Sequence, residues 1–132
     1  MDLSVRRDFE GRDDQSWLGS AHGTSSAQSI TLQMSSFTAA THFPNGYLPS
    51  GLPLGKYTSG ANTGKYGPVT DGATDGSQVL AGFLFTATAV PRNSAAAVVN
   101  GALLDHGRVI LARLPIAPSA AAQATNTHVI YV

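Results

Sequence analysis

Between His42 and Thr70 the chain is punctuated so densely that regular helix is ruled out. The stretch "FPNGYLPSGLPLGKYTSGANTGKYGPV" holds Pro44, Pro49, Pro53 and Pro68 together with Gly46, Gly51, Gly55, Gly60, Gly64 and Gly67. Proline removes a backbone donor and glycine adds backbone entropy to be lost on folding, so this part of the chain reads as loops and short extended pieces. Two near-copies, "GLPLGKY" and "GANTGKY", begin nine residues apart, a spacing that suggests the two sides of a hairpin more than a true repeat.

The flanks also read as extended. Ile30, Leu32 and Met34 alternate with Thr31, Gln33 and Ser35, the period-two pattern of a strand with one buried face. Val79 to Val90 reads as one long buried strand containing Val79, Leu80, Phe83 and Phe85. "GRVILARLP", from Gly107 to Pro115, reads as another, with branched character at Val109 and Ile110 and with Leu111 behind them. Between the two, "NSAAAVVNGALLDHG" is divided: its alanines favour helix, whereas Val98, Val99, Asn100 and Gly101 favour an extended piece ending in a turn. The extended reading is adopted. After Pro115, Pro118 followed by four alanines predicts a helix of about two turns, and the chain closes on "THVIYV", a terminal strand. The expected class is mainly β with one short helix.

At 132 residues the chain is one domain by size, with a single modest core. Only 12% of residues are charged and the formal net charge is zero, which disfavours nucleic acid, because binding to it rests on Lys and Arg at phosphates. With no cysteine, a disulfide framework and a thiolate zinc site are both excluded. The longest apolar run, Val79 to Val90, has 12 residues against the roughly 20 that a membrane-spanning helix needs, so no membrane partner is expected. The start "MDLSVRRDFEGRDD" has charge where a signal peptide has its apolar stretch, which points to a soluble protein made in a cytoplasm.

Charge is concentrated at the start: Asp2, Arg6, Arg7, Asp8, Glu10, Arg12, Asp13 and Asp14 make up half of all charged residues. The small-residue stretch "GSAHGTSSAQS" follows and cannot bury enough apolar surface to offset its ordering entropy. Residues 1–28 are therefore expected to be a flexible arm and linker, with the β-rich domain over residues 29–132. Trp17 and Leu18 are the large apolar residues standing alone in the later part of that arm. Either they wait for a partner surface or they fold back on their own domain.

The residues that could carry chemistry do not form recognisable sets. In "TDGATDGSQVLAGFLF" two Asp-Gly pairs lie four apart, but the twelfth position counted from Asp71 is Gly82, not the Glu of a calcium loop. The stretch reads as a turn into a buried strand. "GLPLGKY" and "GANTGKY" have three residues between glycines and Tyr where a phosphate loop needs four and a Ser or Thr. His22, His42, His106 and His128 are scattered, and only His106 has an adjacent carboxylate, Asp105, whereas catalytic zinc usually takes three protein ligands. No "GxSxG" elbow occurs, and Ser20 with His22 lies in the expected linker. No catalytic residue, metal or cofactor is expected.

The order "YLPSGLPLGKYTSG", "GKYGPVTDGATDGSQVLAGFLFTATAV", "DHGRVILARLP" and a final "THVIYV" resembles the phage lambda decoration protein family, the head decoration proteins of tailed phages. The likeness spans residues from about 30 to 132. It lies in the order of segments: a Pro-Gly-rich front, a "DG" turn into "VLAGFL", a Gly-led strand ending in "LP", a short helix and a terminal strand. The longer, charge-mixed start and "RNSAAAVVNGALLDHG" depart from the lambda pattern.

The resemblance implies a β-clip-like domain that forms a homotrimer on three-fold and quasi-three-fold positions of an expanded capsid. There it would act as cement on the outer surface of the virion, against internal DNA pressure. Its partner would be the major capsid protein, reached by an N-terminal segment that adds a strand to the shell, with backbone bonds giving affinity and alternate side chains giving specificity. Trp17, Leu18, Ile30, Leu32 and Met34 are the expected capsid-binding residues; Val79, Leu80, Phe83, Phe85, Val109 and Leu111 are expected on trimer or core strands. A β-structured receptor-binding or tail-surface domain is the alternative, and a small hydrolase with an unrecognised site the third reading.

Overall fold

The turn-rich front folds as its punctuation dictates. In the structure, a computed structural model that describes residues 14–90 and 98–132, β3 (Pro53–Lys56) and β4 (Tyr66–Pro68) are antiparallel neighbours with Lys56 opposite Tyr66 and Leu54 opposite Pro68. A hairpin does form, but the near-copies are not its two sides: β3 lies in the first copy, whereas the second supplies mostly the connecting turn and reaches β4 only at Tyr66. The connection is closed by Tyr57 N–H donating to Lys65 O at 2.9 Å and Gly64 N–H donating to Tyr57 O at 2.8 Å.

Five strands close into a small barrel in the order β1 (Gln28–Gln33), β4, β3, β5 (Leu80–Leu84) and β7 (Val98–Leu104). β1 runs antiparallel to β7 over six residue pairs, from Gln28 opposite Leu103 to Gln33 opposite Val98, and meets β4 in parallel at Leu32 and Tyr66. Its alternation points Ile30 and Leu32 inward, where they join Met34, Phe37, Leu48, Leu52, Leu54, Leu84 and Leu103 in one apolar cluster. Between Leu54 and Gly55 the register of β3 against β5 shifts, and there the backbone of Ser77 presses on Gly55. A Cβ at Gly55 would stand 2.6 Å from Ser77 O, so only glycine fits.

A second cluster lies beside the barrel and joins elements distant in sequence. Trp17, Leu80, Phe83, Leu104, Val109, Ala122 and Val129 pack together, with Leu18, Phe85, Leu114 and Tyr131 at their margin. β8 (Gly107–Val109) runs parallel to β9 (Val129–Tyr131), and α2 (Ala120–Ala124) covers the cluster with Ala122. The Ser119 hydroxyl accepts the Ala122 N–H at 3.1 Å and caps α2, so the alanine-rich helix forms where the sequence places it, though shorter. Two minor pieces, α1 (Ala39–His42) and the pair β2 (Tyr47–Leu48) with β6 (Thr88–Ala89), complete the fold. The class is mainly β as expected, with two short helices among the described residues instead of one.

Three further expectations change. The long strand from Val79 to Val90 is broken into β5 and β6, because the Phe85 carbonyl is taken by side chains, Ser50 Oγ at 2.6 Å and Gln15 Nε2 at 2.8 Å. Val79 lies before β5 in a turn, its N–H bonded to Gly76 O, and is exposed instead of buried. Leu111 is not on a core strand: the chain tightens after β8 into a 3-10 turn over Leu111–Arg113, with Arg113 N–H on Ile110 O and Leu114 N–H on Leu111 O. Leu80, Phe83 and Val109 are buried as expected, and Phe85 is half-buried. The extended reading holds for residues 98–104, while the alanines at 95–97 lie outside the described residues.

Candidate functional site

The side chains expected to meet a partner are held by the chain's own core. Trp17 is 0% exposed; its indole N–H donates to Ser50 Oγ at 3.0 Å and its ring lies 5.8 Å from that of Phe83. Gly51, at a φ of +91°, backs the indole so closely that a Cβ would come within 2.9 Å of it. The segment carrying Trp17 lies along β8: Ile110 N–H donates to Trp17 O at 2.7 Å, Gly19 N–H to Arg108 O at 2.8 Å, and Leu18 bridges Val109 in antiparallel sense. Of the two outcomes open to Trp17 and Leu18, folding back is the one realised.

Residues 14–28 are consequently not a free arm. They are tied down as far as Gln28, whose side-chain amide donates to Asp105 Oδ2 at 2.9 Å. The remainder of the expected arm, residues 1–13, lies outside the described residues. Ile30, Leu32 and Met34 are likewise buried, at 7%, 0% and 1% exposure, inside the barrel. Because β1 already pairs with β7 along its length and with β4 at Leu32, its apolar face is spent on the domain's interior and cannot also face a shell.

The Asp-Gly loop is a turn built from local bonds. Asp75 Oδ1 accepts the Ser77 hydroxyl at 2.6 Å and the Ser77 N–H at 3.0 Å, and these bonds hold its carboxyl below the usual carboxylate range. Thr70 N–H donates to Ser77 O at 2.9 Å, and Gly72 and Gly76 take positive φ. Asp71 faces elsewhere and accepts from the Ser119 hydroxyl at 2.9 Å. The two carboxylates therefore serve different partners.

His106 Nδ1 and Asp105 Oδ1 lie 2.7 Å apart, and the His22 ring stands edge-on to His106 with centroids 5.3 Å apart. Asp105, His106 and His128 line an open cleft of about 500 Å³ together with Val79, Leu80 and Ala81. The walls are largely committed to the fold: Thr125 Oγ1 accepts the Leu80 N–H at 2.9 Å, and Asn126 Nδ2 donates to Leu80 O at 3.0 Å. Among the described residues no group of three His, Asp or Glu side chains is placed to hold a metal ion. Asp105 and His106 are the two residues that connect β7 to β8, and their contact is local to that connection.

What the sequence reading missed is the surface itself. The large apolar side chains exposed among the described residues include Val79, Val98, Ile130 and Val132. Ile130 and Val132 are alternate residues at the C-terminal strand, and the signal was present in "THVIYV", which carries no Lys, Arg, Asp, Glu or Pro to blunt an edge. Among the described residues, no helix is long and apolar enough to cross a membrane. No family model matches the chain, and no curated protein or solved structure matches it either.

Proposed function

We propose that the chain is a decoration, or cement, protein of a tailed-phage head, acting as a homotrimer on three-fold and quasi-three-fold positions of the expanded shell. The observation that carries this reading is the order of its segments: the Pro-Gly front, the "DG" turn into "VLAGFL", the Gly-led piece ending in "LP", the short alanine helix and the terminal strand. A mainly β domain in which those segments become β3 with β4, β5, β8, α2 and β9 is consistent with it.

Cement requires no reactive group. Three copies joined in one body bind together, so weak individual contacts become durable through effective concentration. A binder that prefers the mature shell stabilises that shell by mass action. Since Trp17, Ile30, Leu32 and Met34 are enclosed, contact with the major capsid protein falls to exposed apolar side chains such as Val79 and Val98. Co-sedimentation of the purified chain with undecorated shells, expanded and unexpanded, tests the proposal. Saturable binding to expanded shells supports it, and absence of binding to either form removes it.

A further inference from the structure

The main-chain bonds of β9 face one way. Gly107 N–H donates to His128 O at 3.2 Å, Val132 N–H to Val109 O at 2.9 Å and Leu111 N–H to Val132 O at 3.3 Å, so the even-numbered residues of this strand serve β8. In a strand, successive residues direct their backbone groups to opposite sides, which leaves the N–H and C=O of Val129 and Tyr131 pointing away from β8. Among the described residues β9 pairs with β8 alone. The far side of β8 is already closed by residues 17–19, so β9 is the open edge of this small sheet.

Natural edge strands are blunted by Lys, Pro, a bulge or an inward charge. This one has none, and it exposes Ile130 and Val132, each 57% accessible, on the face opposite the buried Val129. We infer that the β9 edge pairs antiparallel with the β9 edge of a second copy of this chain, in an isologous contact centred on Ile130. The occupant follows from the strand's own symmetry. With Ile130 on the two-fold axis, Val129 of each copy lies opposite Tyr131 of the other, and the two outward-facing residues exchange both N–H···O bonds. The central Ile130 pair is then of the non-hydrogen-bonded kind, in which side chains approach most closely and bury each other. Neither strand carries a formal side-chain charge that would oppose its copy.

This contact does not rest on the cement reading. A two-fold contact cannot close a trimer; it joins one monomer to another, or one trimer to another.

The chain has no cysteine, so single substitutions report the contact without background. An antiparallel non-hydrogen-bonded pair brings Cα atoms to about 4.5 Å, within disulfide range. Under mild oxidation Ile130→Cys is expected to give a disulfide-linked dimer as its main product. Val98→Cys, at a comparably exposed site (52% accessible) on β7, is expected to stay unlinked. Equal behaviour of the two overturns the inference. As an independent reading, sedimentation equilibrium of the native chain is expected to give twice the mass of Ile130→Lys, with unchanged circular dichroism for the variant. A native mass that Ile130→Lys leaves unchanged, monomer or trimer, overturns the pairing, and an unchanged trimer does so while leaving the cement reading in place.

Discussion

The indole N–H of Trp17 donates to the hydroxyl of Ser50 at 3.0 Å, and that hydroxyl donates in turn to the carbonyl of Phe85 at 2.6 Å. A residue from the supposed linker thereby fixes the end of β5. Trp17→Ala is expected to cost about 3–5 kcal/mol of stability, as for a fully buried large aromatic. Ser50→Ala leaves the indole N–H unpaired and is expected to cost about 1–3 kcal/mol. Urea unfolding of both variants measures this. Native-like stability of Trp17→Ala would show the indole outside the core.

Leu32 sits opposite Tyr66 and Val99 in the barrel wall with its side chain fully enclosed. Leu32→Asp must desolvate a carboxylate there without a partner, so loss of the cooperative unfolding transition is expected before any binding is measured. Ser29→Asp, exposed on the same strand, is expected to change stability by less than about 0.5 kcal/mol. Circular dichroism melts of the two variants separate a core strand from a docking strand.

Tyr131 packs its ring against Phe83 at 6.4 Å, while its hydroxyl is buried without a hydrogen-bond partner among the described residues. Burial pushes the phenol above its ordinary value. Tyr131→Phe removes the unsatisfied group and keeps the ring, so it is expected to stabilise the chain by about 1 kcal/mol or more. A lower denaturation midpoint for the variant would mean the hydroxyl has a partner.

His42 is pushed below its ordinary value by burial, and its Nδ1 accepts the Thr38 N–H at 2.8 Å, which requires an unprotonated nitrogen there. The folded state thus binds the proton more weakly than the unfolded one. Its contribution is complete above the unfolded pKa of about 6.5 and is lost as pH falls through that value toward the lower folded one. His42→Asn keeps an acceptor and removes the titration. The drop in melting temperature between pH 7.5 and 5.5 is therefore expected to be smaller for the variant, and an equal drop would place the acid sensitivity elsewhere.

Local chemistry made part of this fold readable. Alternation at Ile30 and Leu32, the "GKY" segments that meet at Lys56 and Tyr66, Asp75 before Gly76 and Pro118 before the alanines each act within a few residues, and each left its mark on the fold, although β1 stops at Gln33 and Met34 is buried from a 3-10 turn instead of a strand. Which surface the apolar face of β1 would meet was not readable, since alternation specifies a buried face but not what buries it. Trp17 shows the same limit. Its pocket is assembled from Gly51, Ser50 and Phe83, 33 to 66 positions later in the chain, and a composition rich in Gly and Ser around it gave no sign of that long-range contact. Side-chain capture of the Phe85 carbonyl, which breaks the expected strand, is long-range in the same way.

Image reconstruction of undecorated expanded phage shells incubated with the purified chain tests the cement proposal most directly. Added density with three-fold symmetry is expected at the three-fold and quasi-three-fold positions, into which the barrel with Trp17 enclosed fits as a unit. Shells that bind the chain without density at those positions, or that remain bare, would contradict it.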